Sequence, residues 1–152
     1  MDPRAENQLS DNLAMAMDKL VRFLARRDHS ELELQEKLGK SFTQEVVDRA
    51  IETARERKWL PDPQELAERV ASALGAKRKG QLYIQNYLRK KGLPPVPRQE
   101  EQELEKARDL LKSRFDCFDN WLDHEMKQKA YRYLANRGFE DQIIKKVLYE
   151  KS

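Results

Sequence analysis

The chain has 152 residues, 39% of them apolar and 38% charged, with 30 basic and 27 acidic side chains and a formal net charge of +3. So little apolar material favours an elongated body with much surface over one compact globule, and the near balance of charge shifts attention to where the charges lie. One cysteine excludes an internal disulfide and a cysteine-based zinc site and fits a reducing compartment, while no stretch approaches the roughly 18 consecutive apolar residues of a membrane span.

Strand signals are nearly absent, and Ala, Leu, Glu, Lys, Gln and Arg dominate, so helices are predicted throughout. Residues 1–10 read as a polar, disordered tail. They hold acids and no apolar block follows, unlike a signal peptide, so a soluble cytoplasmic protein is expected. Leu13, Met17, Leu20, Val21 and Leu24 then mark a first helix, closed by Arg26-Arg27 at the negative end of its dipole. Ser30-Glu31-Leu32-Glu33 is a capping box, in which the serine hydroxyl and the glutamate carboxylate each take a backbone N–H. It opens a second helix that ends near Gly39. Thr43 is the expected cap of a third, with Val46, Val47, Ala50, Ile51 and Ala54 on one face. Lys58-Trp59-Leu60 closes this first three-helix module, 11–60, and Trp59, at a joint, is expected to fill an inter-module core rather than stand as an exposed interface anchor.

Asp62-Pro63-Gln64-Glu65 starts the next helix, with aspartate as cap and proline where no useful N–H is lost. Leu66, Val70, Ala71 and Leu74 pack it, and the Lys77-Arg78-Lys79-Gly80 corner ends it. A further helix runs to Lys91, with Gly92 as the left-handed residue after its end. Pro94-Pro95-Val96-Pro97 resists helix and is either a rigid linker or the remnant of this module's third helix, in a second module spanning 61–98. Helix resumes near Gln99 with Leu104, Ala107, Leu110, Leu111 and Phe115. A loop at Asp116-Cys117-Phe118-Asp119 follows, and two helices jointed at Gly138 complete a third module, 99–152.

The anchors Leu38, Leu88 and Leu134 recur at roughly 46–50 residues, within the range of helical repeats. The fold class expected is all-α, an elongated tandem array of three-helix, helix-turn-helix-like modules, with Leu34, Leu38, Leu88, Leu134 and Phe139 in the core. Such a stack offers surface rather than a pocket and suits gripping a macromolecule.

Seven cations, Lys77, Arg78, Lys79, Arg89, Lys90, Lys91 and Arg98, occur between positions 77 and 98 without an acid. They point either to DNA phosphates or an acidic groove of a protein filament, or to a solvated helix face. Arg132 and Arg137 form a second basic cluster. Tyr83 is the tyrosine expected to be exposed and able to stack on bases, whereas Tyr87 and Tyr131 are expected to be partly buried. The third helices of the first and last modules mix acids with bases, which argues against a recognition helix in a DNA groove. Trp121 is a core or interface residue. His29 and His124 lack partners at metal spacing, Cys117 sits beside Phe115 and Phe118 as a small apolar residue, and the five glycines are scattered singly. No catalytic residue, metal or cofactor is therefore expected.

Four segments in order resemble the RecX family. They are Ser30-x-x-Glu33-Leu34-x-x-Lys37-Leu38, Lys58-x-Leu60-x-Asp62, Lys79-Gly80-x-x-x-Ile84 with Leu88-x-x-Lys91-Gly92-Leu93, and Tyr133-Leu134-x-x-Arg137-Gly138-Phe139-x-x-x-Ile143. The second corresponds to the family's G-x-L-x-D joint and the last to its R-R-G-F joint. Pro63-Gln64-Glu65-Leu66 stands where the family has D-x-R-F, Tyr87 where it has glutamate, and Asn136 where it has the first arginine of R-R-G-F. The resemblance spans roughly residues 19–148 and implies a non-enzymatic regulator of the RecA recombinase. Such a protein binds the groove of the RecA–DNA filament and suppresses ATP hydrolysis, strand exchange and co-protease action in recombination, DNA repair and the SOS response. The partners it implies are the RecA filament and single- or double-stranded DNA through its phosphates, with no membrane and a monomeric chain. The alternative from the residues is a helical DNA-binding protein acting independently of RecA.

Overall fold

The computed structural model describes residues 9–115 and 124–149. Among these, eight helices and no strand are found: α1 Leu13–Arg26, α2 Glu31–Gly39, α3 Gln44–Glu56, α4 Pro63–Ala76, α5 Gln81–Lys90, α6 Glu100–Phe115, α7 His124–Asn136 and α8 Asp141–Tyr149. Cys117, Phe118, Trp121 and most of the N-terminal tail lie outside the described residues. Ser10 lies within them: its N–H donates to Ser41 and its carbonyl accepts from Thr43, at 2.8 and 2.9 Å, in an isolated bridge with Phe42. The chain divides into two compact units, the first running to Leu66 with Lys91–Pro94 added, the second holding Ala67–Lys90 and the chain from Pro95 onward.

In the first unit, α1, α2 and α3 close around Ala16, Leu20, Leu34, Leu38, Phe42, Val46, Val47, Ala50, Ile51 and Ala54. The starts of these helices follow from short polar caps. Asn12 accepts from the Met15 N–H, and the Ser30–Glu33 capping box forms in both directions at 3.1 and 3.3 Å. Thr43 occupies the cap position of α3, but its hydroxyl makes no capping bond. The end of α3 is a Schellman turn, with Trp59 N–H bonded to the Ala54 carbonyl, Lys58 N–H to that of Arg55, and Lys58 at φ 59°. This reversal corrects the expectation for Trp59. The turn delivers Leu60 to the core cluster and leaves the indole 38% exposed under the Arg57 guanidinium, 5.2 Å from the ring.

In the second unit, α6, α7 and α8 bury Leu104, Ala107, Leu110, Leu111, Ala130, Leu134, Phe139, Ile143, Ile144, Val147 and Leu148. The five side chains expected in the cores, Leu34, Leu38, Leu88, Leu134 and Phe139, are buried. Asp62 caps α4 by accepting from the Glu65 N–H at 3.2 Å. The C-terminal ends of α4 and α7 repeat the turn that closes α3, with Arg78 at φ 60° and Gly138 at φ 93° in the left-handed position. Gly92 is left-handed too, at φ 68°. No helix forms between Lys90 and Glu100, where Pro94, Pro95 and Pro97 remove backbone donors, and the Val96 carbonyl instead accepts from the Gln81 side-chain amide at 2.8 Å.

Candidate functional site

The basic corner between α4 and α5 is set by the start of α5. Gly80 precedes that helix and has no side chain to cap it, so the first N–H groups need acceptors from elsewhere. They find them far along the chain. Gly80 N–H donates to the Arg137 carbonyl at 3.0 Å, Gln81 N–H to Glu103 Oε1 at 2.7 Å, and Leu82 N–H to the Gly138 carbonyl at 2.8 Å. The approach is backbone on backbone: a Cβ on Gly80 would stand 2.4 Å from the Gly138 carbonyl, and one on Gly138 would stand 2.5 Å from Tyr83 Cβ. Both glycines are therefore required by contact, and Gly138 also by its positive φ.

Electrostatics reinforce this clasp. Glu103 is 2% exposed and puts its negative charge at the positive end of α5. Lys106 pairs with it and also donates to the Lys79 carbonyl at 2.7 Å. Arg137 Nη2 donates to the Lys77 carbonyl at 2.7 Å. The structure thus brings together Lys77, Arg78, Lys79, Tyr83 and Arg137. Lys77 and Arg78 are exposed, and Tyr83 is 39% exposed with the Lys79 ammonium 4.7 Å above its ring.

The other cations of the basic run lie elsewhere. Arg89 and Lys90 are exposed at the C-terminal end of α5, about 15 Å along a ten-residue helix from its start, where they suit the negative end of its dipole. Lys91 belongs to the first unit, where its ammonium lies 3.5 Å from Glu33 Oε2. Arg98 lies 3.4 Å from Glu140. Arg132 is exposed on α7, lining a shallow cavity with Gln128, Tyr131 and Tyr149. Tyr87 and Tyr131 are half-buried, as expected.

A second polar knot, in the first unit, surrounds the capping box. Glu33 accepts from Arg27 Nη2 at 2.6 Å and from Ser30 N–H, with Lys91 beside it. Burial pushes this carboxyl up, yet the Arg27 and Ser30 hydrogen bonds and the charges of Arg27 and Lys91 outweigh it and hold the pKa at about 2. His29 is buried, donates from Nδ1 to the Arg27 carbonyl at 3.0 Å and accepts at Nε2 from the Lys37 ammonium at 2.8 Å. Desolvation, and the nearby charges of Arg27 and Lys37, lower its pKa against that backbone bond and the charge of Glu33. Ser30 Oγ donates to the Lys91 carbonyl at 2.5 Å, fastening the Lys91–Pro94 segment to the start of α2.

Sequence reasoning missed Glu103 and Lys106, although a signal was there: Glu103 falls on the same helical stripe as Ala107, Leu110 and Leu111, where an acid needs a buried partner. Among the described residues no His, Cys, Asp and Glu gather as a metal site, and no helix is long and apolar enough to cross a membrane.

Two family models match this chain: residues 16–53 match the first three-helix domain of RecX, and residues 100–148 match the third. A regulatory protein RecX of Trichlorobacter lovleyi is 32% identical over 156 residues, covering 95% of this chain and 97% of its own. The chain belongs to the RecX family. A regulatory protein RecX of Haemophilus influenzae is 30% identical and covers 83% of the chain and 88% of its own length. The crystal structure of RecX from Lactobacillus salivarius superposes with a TM-score of 0.73 at 18% identity, covering 91% of this chain and 95% of that one. The fold is thus the all-α tandem array of RecX three-helix domains, and the role is that of a RecX-type regulatory protein. The basic corner and the Arg137-Gly138-Phe139 joint, which carry two of the RecX resemblances, prove to be two sides of one clasp.

Proposed function

We propose that this RecX protein binds the RecA–DNA filament along its groove and lowers ATP hydrolysis, strand exchange and co-protease action, as a cytoplasmic monomer with no catalysis of its own. Its three modules are read as 11–60, 61–98 and 99–152. The observation that supports the reading best is the clasped corner, where Lys77, Arg78 and Lys79 share an edge with the exposed Tyr83. Contacts of this kind with phosphates or acidic side chains position a protein without reading sequence. Arg89, Lys90 and Arg132 extend the cationic surface as further candidate contacts. Lys91, a further candidate contact, is partly exposed and lies 3.5 Å from Glu33.

The deciding experiment adds substoichiometric protein to RecA on single-stranded DNA and follows ATPase, strand exchange and co-sedimentation. Inhibition with filament binding is expected. Absence of both would falsify the reading. Steeply salt-dependent binding to bare DNA with no preference for the filament would instead identify a DNA-binding protein acting without RecA.

A further inference from the structure

We infer that Arg137 is a positioning residue, which sets how the Lys77–Lys79 corner is presented and does not itself touch the partner. The inference rests on the corner being the contact edge and deepens that reading. Arg137 holds both ends of the turn. Its Nη2 donates to the Lys77 carbonyl at 2.7 Å, and its own carbonyl accepts from Gly80 N–H at 3.0 Å. Between those anchors Arg78 sits at φ 60°, a left-handed conformation that costs a non-glycine residue about 1 kcal/mol or more. The turn therefore needs support from outside its own sequence. Lys106 supplies some of it at the Lys79 carbonyl, and Arg137 supplies the rest.

Arg137 Nε is buried and meets no acceptor among the described residues, while Nη2 is engaged on a backbone carbonyl. An arginine that grips a phosphate or carboxylate presents its planar fork outward with two donors side by side. Here one edge of the fork faces the protein. Lysine cannot reproduce that arrangement, because a compact, strongly hydrated ammonium does not fill the buried planar position. Loss of the clamp leaves the cations and Tyr83 to be ordered on binding, which weakens affinity without removing a charge from the contact edge.

These features separate a positioning role from a contact role. The full chain, Arg137→Ala, Arg137→Lys and Lys79→Ala are titrated over a range of KCl onto RecA filaments and onto bare single-stranded DNA. Amide exchange at Gly80 and Leu82 is measured on each chain alone. Both Arg137 variants are expected to bind roughly tenfold more weakly, the effect of losing one hydrogen bond from a charged donor, with an unchanged salt slope and faster exchange at Gly80 and Leu82. Lys79→Ala is expected to lower the slope by about 0.7–0.9, the loss of one phosphate contact. The inference is overturned if Arg137→Ala lowers the slope as Lys79→Ala does while Arg137→Lys restores it, or if neither exchange nor affinity changes. A wild-type chain that binds bare DNA but not the filament removes the proposed function, and the slopes on bare DNA together with the exchange data still decide the role of Arg137. Binding to neither substrate overturns both.

Discussion

Glu33 is an acid kept charged inside protein, and its surroundings explain why. Arg27, Lys91 and the Ser30 N–H converge on a carboxylate that is buried at the start of α2. Its pKa of about 2 compares with 4.5 for an ordinary glutamate. Between those values the unfolded chain binds more protons than the folded one, so stability rises with pH across that window. The contribution is complete above pH 4.5 and disappears as the pH falls toward 2. His29 acts in the same direction in a higher window: its pKa is lowered from 6.5, so the ring's contribution is complete above pH 6.5 and is lost as the pH falls below it. Urea denaturation from pH 8 to pH 2 is therefore expected to show a mild loss beginning below pH 6.5 and a steeper one below 4.5. Glu33→Gln retains the shape and one acceptor but not the charge, and is expected to cost on the order of 2–3 kcal/mol at pH 7. The difference from wild type shrinks toward pH 2; a difference independent of pH would show that charge is not what Glu33 contributes. The capping box was legible in the sequence because its partners lie within three residues. The roles of Arg27 and Lys91 were not, because Lys91 arrives from a distant part of the chain.

At the scale of helices, the same C-terminal turn closes α3, α4 and α7, with Lys58, Arg78 and Gly138 in the left-handed position. Only the last has the residue the conformation favours. Lys58 stands where the G-x-L-x-D joint that this segment resembles has glycine, and its φ of 59° shows why a glycine suits that place. Lys58 and Arg78 are both exposed, so little packing is lost by removing either side chain. Lys58→Gly and Arg78→Gly are each expected to stabilise the chain by about 0.5–1 kcal/mol, the relief of a left-handed residue less the entropy of an added glycine. Thermal melts read this directly, and a fall in melting temperature for both would contradict it. Gly138→Ala is the opposite case. Its φ is 93° and its Cβ would stand 2.5 Å from that of Tyr83, so a loss of at least about 2 kcal/mol is expected, since the joint must open to make room. Helix positions were readable because caps, glycines and apolar spacing are local signals. The cap of α5 was not, since its acceptors are Glu103, Arg137 and Gly138. Trp59 misled for a related reason: its place at a joint suggested burial, while a one-residue reversal at Lys58 gave the inner position to Leu60.

Across the whole chain, the family-like segments turn out to be paired within each unit rather than independent. Lys79-Gly80 meets Arg137-Gly138 in the second unit, and Lys91-Gly92 meets the Ser30–Glu33 box in the first, where a Cβ on Gly92 would stand 2.8 Å from Leu32 Cβ. A linear reading recovers such segments and their order, but not which closes on which, because those contacts join residues 56 to 61 positions apart. The pairing has a functional consequence: the backbone of the basic corner is held by other elements, so its side chains are available to change. Lys77 and Arg78 are exposed, and Lys79 contributes its carbonyl, not its ammonium, to the Lys106 bond. Reversing all three charges, with Lys77→Glu, Arg78→Glu and Lys79→Glu, is expected to shift stability by no more than about 0.5 kcal/mol per site. The same variant is expected to bind the RecA filament about 100-fold more weakly, taking ~1 kcal/mol for each lost ionic contact. Raising the salt concentration should narrow the gap, because counterion release is the driving term that the variant loses. Normal filament binding by a folded triple variant would move the contact edge away from this corner, leaving Arg89, Lys90 and Arg132 as the surfaces to reverse next.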